Sequence, residues 1–397
     1  MVSCTDTFTL GGDRCLKKSH EFIHPTVMDV DHARGTNVVF VRMFSEPETI
    51  VMLDTAGAQT RTVWEKVITT THPRRKVSHI KYINRNAILV GFDVADMKMG
   101  HKSVVSIVNA TTGIDVMPSI DLSHEVSGIA SARYRGRAVV WDKCGFATTI
   151  DTPRVVACGE SSSWCTEYDT NGCMAAATKF GMATMGGDFK MRDEWVSCAV
   201  APEGDLAIFG GKGGRLLLVT GDLHGDRATP HMVWDRQLEA EEWTVHFAAA
   251  GSTVICHDGV GTVKALGLRS GAPTWSMNTC PLISFPNGVF GIAGIVVSDH
   301  ENTIVRFPGS SLNSTADFTI VCLGENGEVE RLLFKKDDFV ASNIVQMKHT
   351  QMRASVSPTG NNLLCTSYSG TVTLLDNNFR TTWVHHTEKP PWAIAFA

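Results

Sequence analysis

The sequence predicts an all-β chain made of repeated short antiparallel sheets, and three observations predict it. One phrase returns along the chain: an apolar run, a turn ending in Gly or Asn, a second apolar run, a polar-x-Gly hairpin and a third run. The stretch from Val200 through Gly204 and Gly214 to Val219 aligns almost position for position with that from Val356 through Gly360 and Gly370 to Leu375, and a third copy runs from Phe247 to Leu266. Helical periodicity is scarce, because the apolar runs are short and end in Gly, Asn or Asp instead of recurring at i, i+3, i+4 and i+7. Gly or Asn turn centres fall at 35, 86, 136, 172, 204, 251, 288 and 360, most of them separated by steps near the about 40–45 residues of a four-stranded propeller blade. Together these predict a single β-propeller of four-stranded blades, seven in number with eight as the alternative.

Each element has a local reason. Runs such as Thr262–Leu266 are rich in β-branched and aliphatic residues and read as strands, and the Gly or Asn between runs supplies the positive φ of a tight hairpin. Residues 1–24 read as a lead-in whose Thr7–Leu10 closes a blade beside the C-terminal segment 388–397, where Trp392–Ala397 reads as a final inner strand. The short steps flanking Gly172 imply either compact blades or one blade interrupted by an irregular segment, and the long step to Gly360 hides an insertion near Pro308–Ala316. Arg236–Glu242 is the best helical candidate, a short acidic connector. The domain assignment is residues 1–397 as one propeller.

A resemblance sharpens this. Ala265, Gly267, Gly271 and Trp275 stand at the spacing of the tryptophan-docking repeat of quinoprotein-like propellers, Ala-x-Asp-x-x-x-Gly-x-x-x-Trp, with Gly267 in place of Asp. Weaker echoes run from Asn109 through Gly113 to Met117, from Asp376 to Trp383 and from Asp54 to Trp64. Trp-Asp dipeptides occur at Trp141-Asp142 and Trp234-Asp235, and the hairpin at Asp258-Gly259 looks like a WD-repeat turn, although no unit carries the full signature with its Gly-His pair. The chain thus resembles a divergent member of the WD40-like and quinoprotein-like propeller superfamily over about residues 25–390.

Composition sets the bounds on partners. With 397 residues and 43% apolar content the chain can bury a large core. Met1–Leu10 lacks the basic start and apolar core of a signal peptide, and no run approaches a membrane span. Eleven cysteines without CxxC spacing fit reduced core thiols, so a cytoplasmic or nuclear location is expected. A formal charge of −5 offers no global field for nucleic acid. The one basic knot, His72–Lys76, reads as a solvated loop or as a docking patch for an acidic partner.

Chemistry is sparse. Gly159–Ser163 lacks the closing Gly and the strand-turn-helix context of a nucleophile elbow, and Gly210–Gly214 is a hairpin rather than a phosphate loop. Strand alternation sends His385 and His386 to opposite faces, away from a shared metal. Asp258 reads first as a turn-stabilising carboxylate, with Asp299-His300-Glu301 in the equivalent hairpin of another blade. Trp64, Trp275 and Trp383 read as blade-to-blade packing groups, whereas Trp164, Trp195 and Trp243 begin blades. No cofactor or metal is expected. The function expected is a non-catalytic, WD40-like interaction scaffold or adaptor that takes a peptide or helical segment of a partner protein within a multi-subunit complex. By fold analogy alone it compares with the single propellers of the mitotic checkpoint, mRNA export and vesicle coats; the alternative is a cofactor-binding or enzymatic quinoprotein-like propeller. The partner-binding candidates, all on hairpins and blade-leading loops, are Arg75, Lys143, Arg192, Lys212, Asp258, His300 and Tyr368.

Overall fold

The computed structural model describes residues 4–10, 16–23, 26–33, 38–44, 49–54, 61–67, 75–84, 87–96, 100–116, 119–122, 126–132, 137–142, 146–151, 155–156, 165–166, 177–181, 195–211, 213–220, 231–239, 243–258, 261–279, 295–300, 304, 316–324, 326–335, 338–357, 359–367 and 369–386. The fold is an all-β propeller. Among the described residues, seven four-stranded antiparallel sheets follow one another along the chain, each with its strands ordered in space as in sequence. The first comprises Thr26–Ala33, Val38–Phe44, Thr49–Asp54 and Arg61–Val67; the second Arg75–Asn84, Ala87–Asp96, Gly100–Asn109 and Ile120–Leu122. The third comprises Val126–Ser131, Arg137–Asp142, Phe146–Asp151 and Ala177–Gly181; the fourth Trp195–Val200, Leu206–Gly211, Arg215–Thr220 and His231–Gln237. The fifth comprises Trp243–Ala248, Thr253–Asp258, Thr262–Gly267 and Pro273–Asn278; the sixth Ile295–Asp299, Phe318–Leu323, Glu328–Lys335 and Asp338–Gln346; the seventh Gln351–Val356, Leu363–Ser367, Thr371–Leu375 and Thr381–His386. First strands of successive sheets lie beside one another and fourth strands form the outer edges.

The core is distributed over the seams between sheets. Ile50 and Met52 of the first sheet meet Ile88, Val90 and Val108 of the second, while Leu89, Val105 and Ile107 turn the other way onto Val140 and Ile150 of the third. Val139 and Trp141 meet Phe209 and Leu217, and Leu216 and Leu218 meet Val254 and Cys256. Ile255 and Val263 then meet Phe318 and Ile320, and Val321 and Leu323 meet Leu363 and Cys365. Both faces of the middle strands are buried, which is why they read as continuous apolar runs rather than alternating ones.

The repeated phrase is the first-to-second strand turn followed by the second-to-third hairpin. At Gly204 the Ala201 N–H donates to Leu206 O and the Gly204 N–H to Ala201 O; Ser357, Asn362 and Gly360 repeat the pattern. Gly204 and Gly360 have φ of 77° and 75°, a region closed to most residues with a Cβ. The third copy departs from this. Ala249 and Ala250 are left-handed at φ 52° and 56°, and the Ala250 N–H donates to Asp299 Oδ2 of the next sheet at 3.0 Å. Two alanines in this region cost about 1–2 kcal/mol each, so Ala250→Gly is expected to stabilise the fold by roughly 0.5–1 kcal/mol net of added unfolded-chain entropy. A urea titration showing no gain would mean that the turn is unstrained.

Several sequence expectations are settled here. The irregularity around Gly172 is one sheet interrupted, because the two-stranded pair Val155–Val156 and Cys165–Thr166 sits between the third and fourth strands of the third sheet. The insertion near Pro308–Ala316 falls in the connection between Ile295–Asp299 and Phe318–Leu323, mostly outside the described residues. The Arg236–Glu242 helix does not form: Arg236 and Gln237 end a strand, paired with Leu216 and Arg215. Cys4–Leu10 pairs with Leu16–Ile23 in a hairpin of its own, and the 388–397 segment proposed to close beside it lies outside the described residues.

Candidate functional site

Antiparallel pairing decides which connections share an end of the propeller. Trp243, which opens the first strand of the fifth sheet, lies opposite Asp258, which closes the second. The second-to-third hairpins therefore gather at the end where first strands begin, together with the connections that lead from one sheet to the next. The opposite end carries the first-to-second and third-to-fourth turns.

The hairpin end is braced by side chains. Asp258 is 7% exposed, and its Oδ1 accepts the Gly261 N–H at 2.9 Å and the Thr262 N–H at 2.7 Å, so the carboxylate holds its own turn. The end of the fourth strand then clamps the same hairpin: the Thr279 N–H and Oγ1 both donate to Gly261 O. Gln346 Nε2 donates to Asn326 O at 2.8 Å in the sixth sheet, and Gln237 Nε2 donates to Gly213 O in the fourth. In the seventh sheet Ser367 Oγ accepts the Thr371 N–H at 3.1 Å, while Thr371 Oγ1 meets His386 Nδ1 at 3.3 Å. Neighbouring sheets are also tied here. Ser103 Oγ accepts the Val126 N–H at 3.0 Å, and Ser197 Oγ accepts the Val245 N–H at 2.9 Å.

The sequence candidates divide between the two ends. Arg75 opens the first strand of the second sheet at the hairpin end. Lys143, Arg192, Lys212 and Tyr368 lie outside the described residues. His300 does not occupy the hairpin equivalent to that of Asp258, because it follows Asp299, the last residue of a first strand, which pairs with Phe318. It belongs to the opposite end. There His300 Nε2 bonds Thr319 Oγ1 at 2.8 Å, and its ring packs so closely on Gly360 that a Cβ at that glycine would lie 2.1 Å from Nε2. Burial lowers the His300 pKa, opposed by Asp317 and reinforced by Arg331.

The opposite end carries the docking anchors. Trp64 Nε1 donates to Ala110 O at 2.9 Å in the second sheet, and Trp234 Nε1 donates to Leu268 O at 2.8 Å in the fifth. Trp275 stacks on Phe334 of the sixth sheet with centroids 5.0 Å apart. Each of these tryptophans, and Trp383, sits opposite the last residue before a register shift: Met52, Leu218, Ala265 and Leu374. In the first, fourth and fifth sheets the indole beside the bulge faces the following sheet, whereas Trp383 packs on Leu364, Val372 and Leu374 of its own sheet. In the sixth sheet Ala341 takes that place, and Arg331 of the third strand replaces the indole. Its Nη2 donates to Asn377 O at 2.5 Å and its guanidinium lies 4.7 Å from the Phe379 ring centroid. Trp234 and Arg331 were not singled out from sequence as docking groups; the signal for Trp234 was its place in the outer strand, after the hairpin marked by Gly214.

The other reactive groups are interior. Burial pushes the thiols of Cys256 and Cys365 up to about 12, so both are protonated packing groups. His385 stacks on Trp383 with centroids 5.6 Å apart while His386 reaches Thr371, so the two imidazoles take opposite faces. Among the described residues no group of three His, Cys, Asp or Glu side chains could hold a metal ion, and no helix is long and apolar enough to cross a membrane.

No family model and no curated protein matches the sequence. Solved structures do resemble it. Sqt1 from Chaetomium thermophilum aligns with a TM-score of 0.53 at 13% identity, covering 81% of this chain and 74% of that one. A functionally unknown protein from Desulfotomaculum acetoxidans aligns at 0.52 and 12% identity, covering 83% and 92%. The β-propeller domain of Cps50 (Swd1) from Myceliophteria thermophila aligns at 0.50 and 9% identity, covering 87% and 94%. At these identities the likeness shows the fold alone.

Proposed function

We propose that this chain is a non-catalytic, WD40-like interaction scaffold of seven blades, one for each four-stranded sheet, that captures a peptide or helical segment of a partner protein on its hairpin end. The observation that supports this reading is the bracing of the hairpins. Turns clamped by Asp258, Thr279, Gln237 and Gln346 are held in place before a partner arrives, so capture loses little conformational entropy. The carboxylate of Asp258 and the buried thiols are already committed to structure, which fits a rigid platform better than a reacting centre. Buried reduced thiols also suit the cytoplasm or nucleus.

The test is affinity capture of the tagged chain from its native cell with mass spectrometry of what accompanies it, repeated with charge reversals at Arg75, Lys143, Arg192 and Lys212. Arg269→Glu, on an exposed third-to-fourth turn at the other end, is the control. A stoichiometric protein partner lost with at least one of these four reversals and kept with Arg269→Glu supports the reading. A bound quinone-type cofactor in place of a protein would move the assignment to the quinoprotein-like alternative, and a partner that survives all four reversals would move the binding face elsewhere.

A further inference from the structure

We propose that Ser270 is a phosphorylation site whose phosphoseryl group staples the fourth and fifth sheets together through Arg236 and Arg269. Ser270 lies in the exposed third-to-fourth turn of the fifth sheet, between Arg269 and Gly271. Its Oγ accepts the Ala272 N–H at 3.1 Å. Arg236 crosses the seam from the outer strand of the fourth sheet and grips the same residue, with Nε and Nη2 donating to Ser270 O at 3.1 and 2.6 Å. Both arginines are exposed, and among the described residues neither is in an ion pair with a carboxylate.

Equivalent turns show what this one lacks. Lys66 follows Trp64 by two residues, as Arg236 follows Trp234, and its Nζ donates to Gly113 O at 3.1 Å in the third-to-fourth turn of the second sheet. There Asp115 supplies the anion, 2.9 Å from Nζ. In the seventh-sheet turn, burial lowers the pKa of Arg331 and the Asp376 carboxylate opposes it. When Gly271 is aligned with Gly113, Pro273 stands where Asp115 would be. The fifth-sheet turn thus has two guanidinium groups, a hydroxyl between them and no carboxylate of its own. A phosphoryl group on Ser270 adds about two negative charges and three acceptor oxygens, and the planar fork of arginine matches that group. Arg236 can bond it through Nη1 while keeping its hold on the Ser270 carbonyl. The modifying enzyme is a protein kinase that accepts Arg at the preceding position. Ser270 Oγ attacks the γ-phosphorus of ATP, the bond to the β,γ-bridging oxygen breaks, ADP leaves and the hydroxyl proton passes to the kinase's base.

Two measurements on the full chain test this. Mass spectrometry of the protein purified from its native cell under phosphatase inhibition is expected to find phosphate on the peptide carrying Ser270. Phosphoserine installed at position 270 by codon suppression is expected to raise the folding equilibrium constant about tenfold in low-salt urea titrations, and the gain is expected to shrink as salt is added. Arg236→Gln is compared with and without the phosphate, so that the bonds it loses to the Ser270 carbonyl cancel, and the gain is expected to fall to about threefold or less. Both positions are exposed, so each variant is expected to fold. Ser270 found unmodified, or a phosphate whose effect is the same with Arg236→Gln, overturns the proposal. Neither result bears on partner capture at the hairpin end, which uses a different surface.

Discussion

Trp234→Ala is expected to be among the most damaging single substitutions in the chain, lowering stability by about 4–6 kcal/mol. The indole is 5% exposed and packs in the seam with Leu218, Val254 and Leu266. Removing a buried Trp costs about 3–5 kcal/mol in lost transfer energy and cavity, and the Leu268 carbonyl loses its donor, which costs on the order of 1 kcal/mol more. Trp234→Phe keeps most of the packing and is expected to lose only about 1–2 kcal/mol. Gly271 should be nearly as sensitive, because at φ 64° its added Cβ would lie 2.7 Å from the indole. Equilibrium denaturation in urea gives the ranking. A Trp234→Ala protein within about 1 kcal/mol of wild type would show that the indole is not the anchor of its seam.

The second large effect is on acid stability. His246 and His257 lie on the face of the fifth sheet shared with Ile255, which packs against the sixth, their rings 6.1 Å apart and 12° from parallel. Their Nε2 atoms are both buried without a hydrogen-bond partner. Burial, reinforced by the neighbouring His257, lowers the His246 pKa to about 3. Burial lowers that of His257 to about 4 against the opposing Asp258 backbone hydrogen bond and carboxylate. Both folded pKa values lie below the unfolded value of 6.5, so the unfolded chain binds more protons at acid pH. Stability is therefore fully present above about pH 6.5 and is lost as the pH falls toward 4, by roughly 3–6 kcal/mol for the pair at about 1.4 kcal/mol per unit. Replacing both residues with Phe keeps two stacked rings and removes the titration. The double variant is expected to flatten the fall in melting temperature between pH 7 and pH 4, and an equally steep fall would place the acid sensitivity elsewhere.

Much of the fold was legible because turn chemistry repeats more faithfully than anything else in the chain. Gly204 and Gly360 have nearly the same φ and the same pattern of hydrogen bonds, so aligned glycines mark equivalent points of equivalent sheets. Trp64 and Trp275 were legible as packing groups from their place in the repeat. Arg331 was not, because it lies on a third strand and its partner Phe379 holds a left-handed φ of 60° in the turn where Gly113 and Gly271 stand in other sheets. His300 was misplaced for a different reason. Asp-His after a short apolar run resembles His257-Asp258, and only the pairing partner of the run tells a first strand from a second. That partner, Phe318–Leu323, lies beyond the insertion. The braces of the hairpin end depend on Gln and Ser side chains reaching carbonyls and amides elsewhere in the fold, and such residues carry no periodic signal.

The anchors Trp64, Trp234, Trp275 and Arg331 all reach forward, from one sheet to the next along the chain. During synthesis this order means that the first, fourth, fifth and sixth sheets each wait, with an anchor uncovered, until the ribosome has delivered the sheet that follows. A nascent chain paused after any of these four sheets therefore displays that side chain at its growing front until translation resumes.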